Sequence, residues 1–134
     1  MAVAREESLA IHSDEDVVRA RQVVRQWVLD LGFRLVDQTK MVTAASELAR
    51  NTLVHGGGGE MRLETVQVNA RRGLQLTFED KGPGIPDVNL AMSNGYTTGS
   101  GLGLGLGGAK RLSNDFEIVS SPGQGTRVRI TRWL

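Results

Sequence analysis

The sequence predicts a single-domain α+β fold in which an antiparallel-rich sheet carries its helices on one face. Two long stretches before residue 56 repeat apolar residues at three- and four-residue steps. Two later pairs of stretches alternate with a period of two. Glycine, proline or a capping serine marks each change of period. At 134 residues, 40% of them hydrophobic and 23% charged, the chain has the size and balance of one globular core. No repeat, linker or low-complexity tail divides residues 1–134.

Leu9 and Ile11 alternate with Ser8 and Ala10, which predicts a short first strand. Ser13 follows as an N-cap, with Asp14, Glu15 and Asp16 where a first turn favours negative charge. Val17, Ala20, Val24, Trp27, Val28 and Leu31 then form one stripe that Gly32 stops. A second helix is expected from about Val36 to His55, with Met41, Ala45, Leu48 and Thr52 on one side, and four glycines end it. Met61, Leu63 and Thr65, then Val66, Val68 and Ala70, predict a strand with a bulge at the slip. Arg71-Arg72-Gly73 reads as a turn into a partner strand, Leu74 to Phe78. Residues 80–104 lack periodicity and read as a functional loop. A third helix is expected around Gly105 to Ser113. A last hairpin runs through Phe116 and Ile118, turns at Pro122-Gly123-Gln124-Gly125 and returns through Val128 and Ile130.

Sixteen Lys and Arg against fifteen Asp and Glu leave a formal charge of +1, so no basic field marks a nucleic-acid partner. The absence of cysteine excludes disulfides, thiol nucleophiles and thiolate metal sites. No run approaches the ~20 apolar residues of a membrane span, and the expectation is a cytoplasmic protein without a membrane partner. Glycine is the outlier at 17 residues, concentrated at Gly56–Gly59 and Gly99–Gly108, where close backbone approach to a ligand is the question to ask.

Gly103 to Gly108 formally contains G-x-G-x-x-G, but it leaves a loop instead of a strand and lacks the following acid of a dinucleotide site. No Walker lysine follows either. What remains is a glycine strap, spaced by Leu102, Leu104 and Leu106, that leads to a helix N-terminus suited to phosphate. Glu47 and Asn51 lie four apart on one helix face, where a carboxylate and an amide oxygen can converge. Taken alone, the pair also suits a solvated face. His55 continues the row and by itself reads as a cap or surface group, and His12 has no partner at metal-ligand spacing. Asp80-Lys81-Gly82-Pro83-Gly84-Ile85 sets a carboxylate at a strand end before backbone that a flat ligand can approach. In isolation it is an ordinary turn.

In their order, Glu47-x-x-x-Asn51, Asp80-x-Gly82-x-Gly84 and Gly101-x-Gly103-x-Gly105 resemble the N, G1 and G2 boxes of the Bergerat-fold (GHKL) ATPases. That family unites DNA gyrase, heat-shock chaperones, sensor histidine kinases and anti-sigma-factor kinases. The resemblance runs from about Ile11 to the C-terminus. Ser46 to Asn51 and Gly101 to Leu112 are similar to the RsbT-type switch serine kinases of the bacterial stressosome. It implies a two-layer α/β sandwich with a mixed, mostly antiparallel sheet, and one ATP-binding kinase domain over residues 1–134. The implied activity is Mg²⁺- and ATP-dependent phosphorylation of serine or threonine.

Carried onto these positions, the resemblance gives Asn51 to Mg²⁺ and ATP and makes Glu47 the group that activates the acceptor hydroxyl. Asp80 receives the adenine amine, Gly82, Gly84 and Ile85 close around the ring, and Thr126 completes the contact through water. Gly99, Ser100, Gly101, Leu102, Gly103, Leu104 and Gly105 form a lid over the phosphates, which Lys110 either reaches or leaves for solvent. The implied partners are a STAS-domain scaffold or antagonist protein as substrate and a PP2C-type phosphatase downstream. Two other readings stand beside this one: an anti-sigma-factor kinase that sequesters a sigma subunit, and a non-catalytic ATP-gated binding module, against which the intact Glu47 counts. Thr52 to Gly59 depart from the family pattern by their glycine content.

Overall fold

The computed structural model describes residues 2–92 and 106–134. The elements in chain order are β1 (Ala2–Ile11), α1 (Asp14–Leu31), α2 (Leu35–Val54), β2 (Gly59–Val68), β3 (Arg71–Asp80), the short α3 (Val88–Ala91), α4 (Leu106–Leu112), β4 (Asp115–Ser120) and β5 (Thr126–Trp133). The strands form one sheet in the order β1-β2-β3-β5-β4, and every pairing among them is antiparallel.

Both long helices follow their sequence signals. The Ser13 side chain accepts the Asp16 N–H at 3.2 Å, and Gly32 closes α1 in the left-handed region at φ 82°. Three residues later α2 begins, so the two helices turn back on each other across a short connection. Trp27 and Val28 from α1 and Met41, Ala45 and Leu48 from α2 are fully or almost fully buried. They pack on Ile11, Met61, Leu63, Leu76, Phe78 and Ile130 from the sheet. The helices thus cover one face, and the other face carries polar and charged rows. Glu6–Arg62 and Glu117–Arg127 pair there at 3.8 Å, and Gln75 donates to Thr131 at 3.1 Å.

Besides the short α3 inside the expected loop, three details differ from the sequence reading. The first strand is ten residues long, because β1 continues outward past a register shift between Val3 and Glu6. The slip in β2 is not shared with β3: it lies opposite the β1 shift, where Val66 pairs with Val3 and Glu64 with Glu6, while β2 and β3 stay in register from Gly59↔Asp80 to Val68↔Arg71. Their turn is Asn69–Ala70, with Asn69 at φ 55°, so Arg71 to Gly73 belong to the strand.

A polar tie fixes the far end of the helical layer. Arg132 of β5 pairs with Asp37 in the first turn of α2 at 2.7 Å and donates to the Leu112 carbonyl at the end of α4 at 3.0 Å. The guanidinium holds the Asp37 carboxyl below its ordinary pKa against the opposing cost of burial. No described helix is long and apolar enough to cross a membrane.

Candidate active site

The C-terminal end of α2 meets the exit of β3 and the entry of β5, and a cavity of about 130 Å³ opens there. Its walls are largely apolar, from Leu48, Phe78, Ile85, Leu106 and Val128. Asn51, Thr52, His55, Asp80 and Thr126 supply the polar positions. An apolar slot with a few fixed polar groups suits a flat heterocycle.

Asp80 is the half-buried carboxylate of this wall. Its Oδ1 accepts the Gly82 N–H at 2.9 Å, and the Thr126 N–H also supports the ionised form. Burial nevertheless wins and raises the Asp80 pKa above its ordinary value. The space around it depends on missing side chains. A Cβ on Gly56 would collide with Cβ and Cγ of Asp80 and stand 2.6 Å from Oδ2, while one on Gly82 would lie 2.7 Å from the Gly56 Cα. Gly84 holds φ 77° where the chain turns under the cavity, and its Cβ would strike the Ser121 carbonyl. The Ser120 hydroxyl then joins the loop to the sheet: it accepts the Ile85 N–H at 2.8 Å and lies 2.8 Å from Thr126 Oγ1.

Of the residues expected from sequence, Asn51, Asp80, Gly84, Ile85 and Thr126 line this one cavity, and Gly82 braces it from beneath Asp80. Glu47 does not line it. This carboxylate is exposed one helical turn away and opens into a separate depression between α1 and α2. Lys110 is exposed on α4 and is not part of the wall. Gly99, Ser100, Gly101, Leu102, Gly103, Leu104 and Gly105 lie outside the described residues.

His55, read from sequence as a cap or surface group, is the C-cap of α2, its N–H bonded to the Asn51 carbonyl at 3.0 Å, and it is also part of the site. Its ring lines the cavity, its Nε2 is buried without a hydrogen-bond partner among the described residues, and burial lowers its pKa against the pull of Asp80. The signal was its position four residues after Asn51, on the same side of the helix. Ser120 carried no local signal, since only the fold brings it beside Ile85 and Thr126.

The family of histidine kinase-, DNA gyrase B- and HSP90-like ATPases matches residues 36–133, which hold nearly all of α2, the cavity and strands β2 to β5. The chain belongs to this ATPase family. Within it, the chain is 44% identical over 124 residues to the serine/threonine-protein kinase RsbT of Bacillus subtilis (strain 168), covering 92% of this chain and 93% of that protein. It is 30% identical over 120 residues to the anti-sigma F factor of Thermoanaerobacter sp. (strain X514), covering 86% and 83%. The crystal structure of the RsbU and RsbW domains of a Mycobacterium tuberculosis protein superposes with a TM-score of 0.61 at 18% identity. That likeness covers 96% of this chain and 32% of that one, and it shows the fold alone.

The residues present fit the family's nucleotide. The Asp80 carboxylate would accept an exocyclic amine, and the backbone at Gly82 and Gly84, free of side chains, would let a ring approach closely. Among the described residues no cluster of three His, Asp or Glu forms a metal cage. A Mg²⁺ ion would be held there by the Asn51 amide oxygen together with phosphate oxygens, a sparse oxygen set that this cation accepts.

Proposed function

We propose that this ATPase-family chain is a Mg-ATP-dependent protein serine/threonine kinase whose substrate is a STAS-domain scaffold or antagonist protein. Released from that partner, it acts on a PP2C-type phosphatase in the cytoplasm. The observation that carries the reading is the Asp80 slot, a half-buried carboxylate held by the Gly82 N–H with Gly56 packed against it, on the same cavity as Asn51. Asp80 and the backbone after it hold the base, and Asn51 holds Mg²⁺ against the phosphates. Glu47 stands on the next turn of the same helix, outside the slot, and takes the proton of the attacking hydroxyl.

The similarity to a kinase named RsbT supports phosphorylation of a protein hydroxyl. The similarity to anti-sigma F factors favours a second reading, in which the chain sequesters a sigma subunit and phosphorylates its own antagonist. Co-purification separates the two, since a bound sigma subunit marks the second and a STAS-domain protein alone marks the first. A non-catalytic ATP-gated module is the third reading, and phosphate transfer to the STAS protein in the kinase assay would exclude it. Glu47→Gln should retain Mg-ATP affinity and slow single-turnover transfer to the STAS protein by about 10²–10⁴-fold, the range of a lost general base. Transfer at the wild-type rate would remove Glu47 from the mechanism.

A further inference from the structure

Asp80, Thr126 and Ser120 make one cross-strand row at the end of the sheet. Asp80 on β3 pairs with Thr126 on β5, and Thr126 pairs in turn with Ser120 on β4. Each stands two residues from a side chain in or against the core, Phe78, Val128 and Ile118 respectively, so all three project from the helix-covered face. Asp80 and Thr126 line the cavity, whereas Ser120 stands one strand behind them and does not.

The groups around Ser120 fix the protons of this row. Its hydroxyl has one hydrogen to give and two lone pairs to offer. Among the described residues it meets the Ile85 N–H at 2.8 Å, the Gly125 carbonyl at 3.2 Å and Thr126 Oγ1 at 2.8 Å. An amide N–H only donates and a carbonyl only accepts, so Ile85 takes one lone pair and the hydrogen goes to Gly125. The lone pair left over faces Thr126. The assignment that serves all three contacts therefore makes Thr126 the donor between the two hydroxyls. With its hydrogen spent on Ser120, the Thr126 hydroxyl has only lone pairs for a ligand. The ionised Asp80 carboxylate beside it is an acceptor too, with Oδ1 taking the Gly82 N–H. Ser120 is not the sole tether of the loop above the row, because the Gly123 N–H donates to the Pro83 carbonyl at 2.7 Å.

We propose that Ser120 is a positioning residue for the nucleotide base: by accepting the Thr126 hydrogen it keeps the row a set of acceptors, and the slot thereby selects a 6-amino purine over a 6-oxo purine. The proposal rests on the ATP-binding reading of the slot. A 6-amino group brings the hydrogens that such a row needs, directly or across a water. A 6-oxo group sets one more acceptor against it, and a buried acceptor left unpaired is costly.

Calorimetric titration with Mg-ATP and Mg-ITP, which share ribose and triphosphate and differ in the base, tests this. The wild-type chain should bind ATP about tenfold or more tighter than ITP. Ser120→Ala frees the Thr126 hydroxyl to turn its hydrogen toward the cavity, and the preference should fall by about threefold or more. Ser120→Thr keeps a hydroxyl and should hold the preference within about twofold of the wild type. A residue that only braced the loop would, when removed, weaken both nucleotides by one factor, and an unchanged ATP/ITP ratio in Ser120→Ala overturns the proposal. Thr126→Val removes the lone pairs and should lower the preference as well, which serves if Ser120→Ala does not fold. In the Thr126→Val background Ser120→Ala should lower it no further. A preference that survives Thr126→Val, or equal binding of ATP and ITP by the wild-type chain, also overturns the proposal while leaving the slot a nucleotide site. Failure of the ATP reading looks different: neither nucleotide binds, and the role of Ser120 falls with it.

Discussion

Gly56→Ala inserts one methyl where α2 ends and Asp80 begins its work, and the structure sets its cost. The glycine lies outside the left-handed region, so alanine can keep the backbone and only space is at issue. The added Cβ collides with Cβ and Cγ of Asp80, so a rotation of the carboxylate alone gives no relief. Either the strand end shifts and weakens the 2.9 Å bond from the Gly82 N–H, a charged hydrogen bond worth about 1.5–3 kcal/mol, or the end of α2 is pushed back as in an overpacked core, at about 1–3 kcal/mol. The expected loss of folding stability is therefore about 1–3 kcal/mol, with weaker Mg-ATP binding. Urea melts of Gly56→Ala, Asp80→Gly and the double variant isolate the contact, because Asp80→Gly removes every atom that the new methyl strikes on that residue. A coupling of at least about 1 kcal/mol is expected. If Gly56→Ala costs the same in both backgrounds, the packing of Gly56 against Asp80 does not shape the slot.

Other consequences follow from the remaining polar contacts. Arg132→Ala removes the bonds to Asp37 and to the Leu112 carbonyl and should cost about 1–3 kcal/mol in urea melts at pH 7. Because the native Asp37 pKa is depressed, the stabilisation is present above the unfolded value of about 3.9 and is lost as pH falls through the native value. The wild-type and variant melts should converge there. His55 has a lowered native pKa, so its neutral form favours the fold fully above the unfolded value of about 6.5, and stability falls as pH drops below that toward the native value. His55→Phe should remove that part of the pH dependence between pH 7.5 and 5.5, and unchanged curves would place the imidazole in solvent. Excess chelator should weaken ATP binding at least tenfold, since Asn51 must share the metal with phosphate oxygens, and equal affinity in calorimetry would remove the metal from the site.

The helices were legible because local signals and tertiary packing agree. Ser13 caps α1, Gly32 ends it, and the predicted stripe is the buried one. Where the reading failed, a long-range contact decided. Gly73 suggested a turn, but its missing side chain makes room for Trp133 on β5, whose ring a Cβ would approach to 2.8 Å. The outer half of β1 is an edge strand with Arg5, Glu6 and Glu7, and alternation there is hidden by a register shift and by Glu7 reaching the Trp27 indole N–H at 3.1 Å. In the site, Asp80, Gly84, Ile85, Asn51 and Thr126 converge as the motif order implied. The face of Glu47 was not legible, because four-residue spacing places two side chains on one side of a helix but not in one cavity. That depends on α1, which walls Glu47 off into its own groove.

The central claim is that Asp80 and its glycine surroundings hold the base of ATP. Calorimetric titration of Mg-ATP into the wild-type chain and into Asp80→Asn tests it most directly. The amide keeps the size of the carboxylate but loses the charge-assisted bond, so affinity should fall tenfold or more while the urea midpoint stays close to that of the wild type. An Asp80→Asn chain that binds Mg-ATP as tightly as the wild type would contradict the account.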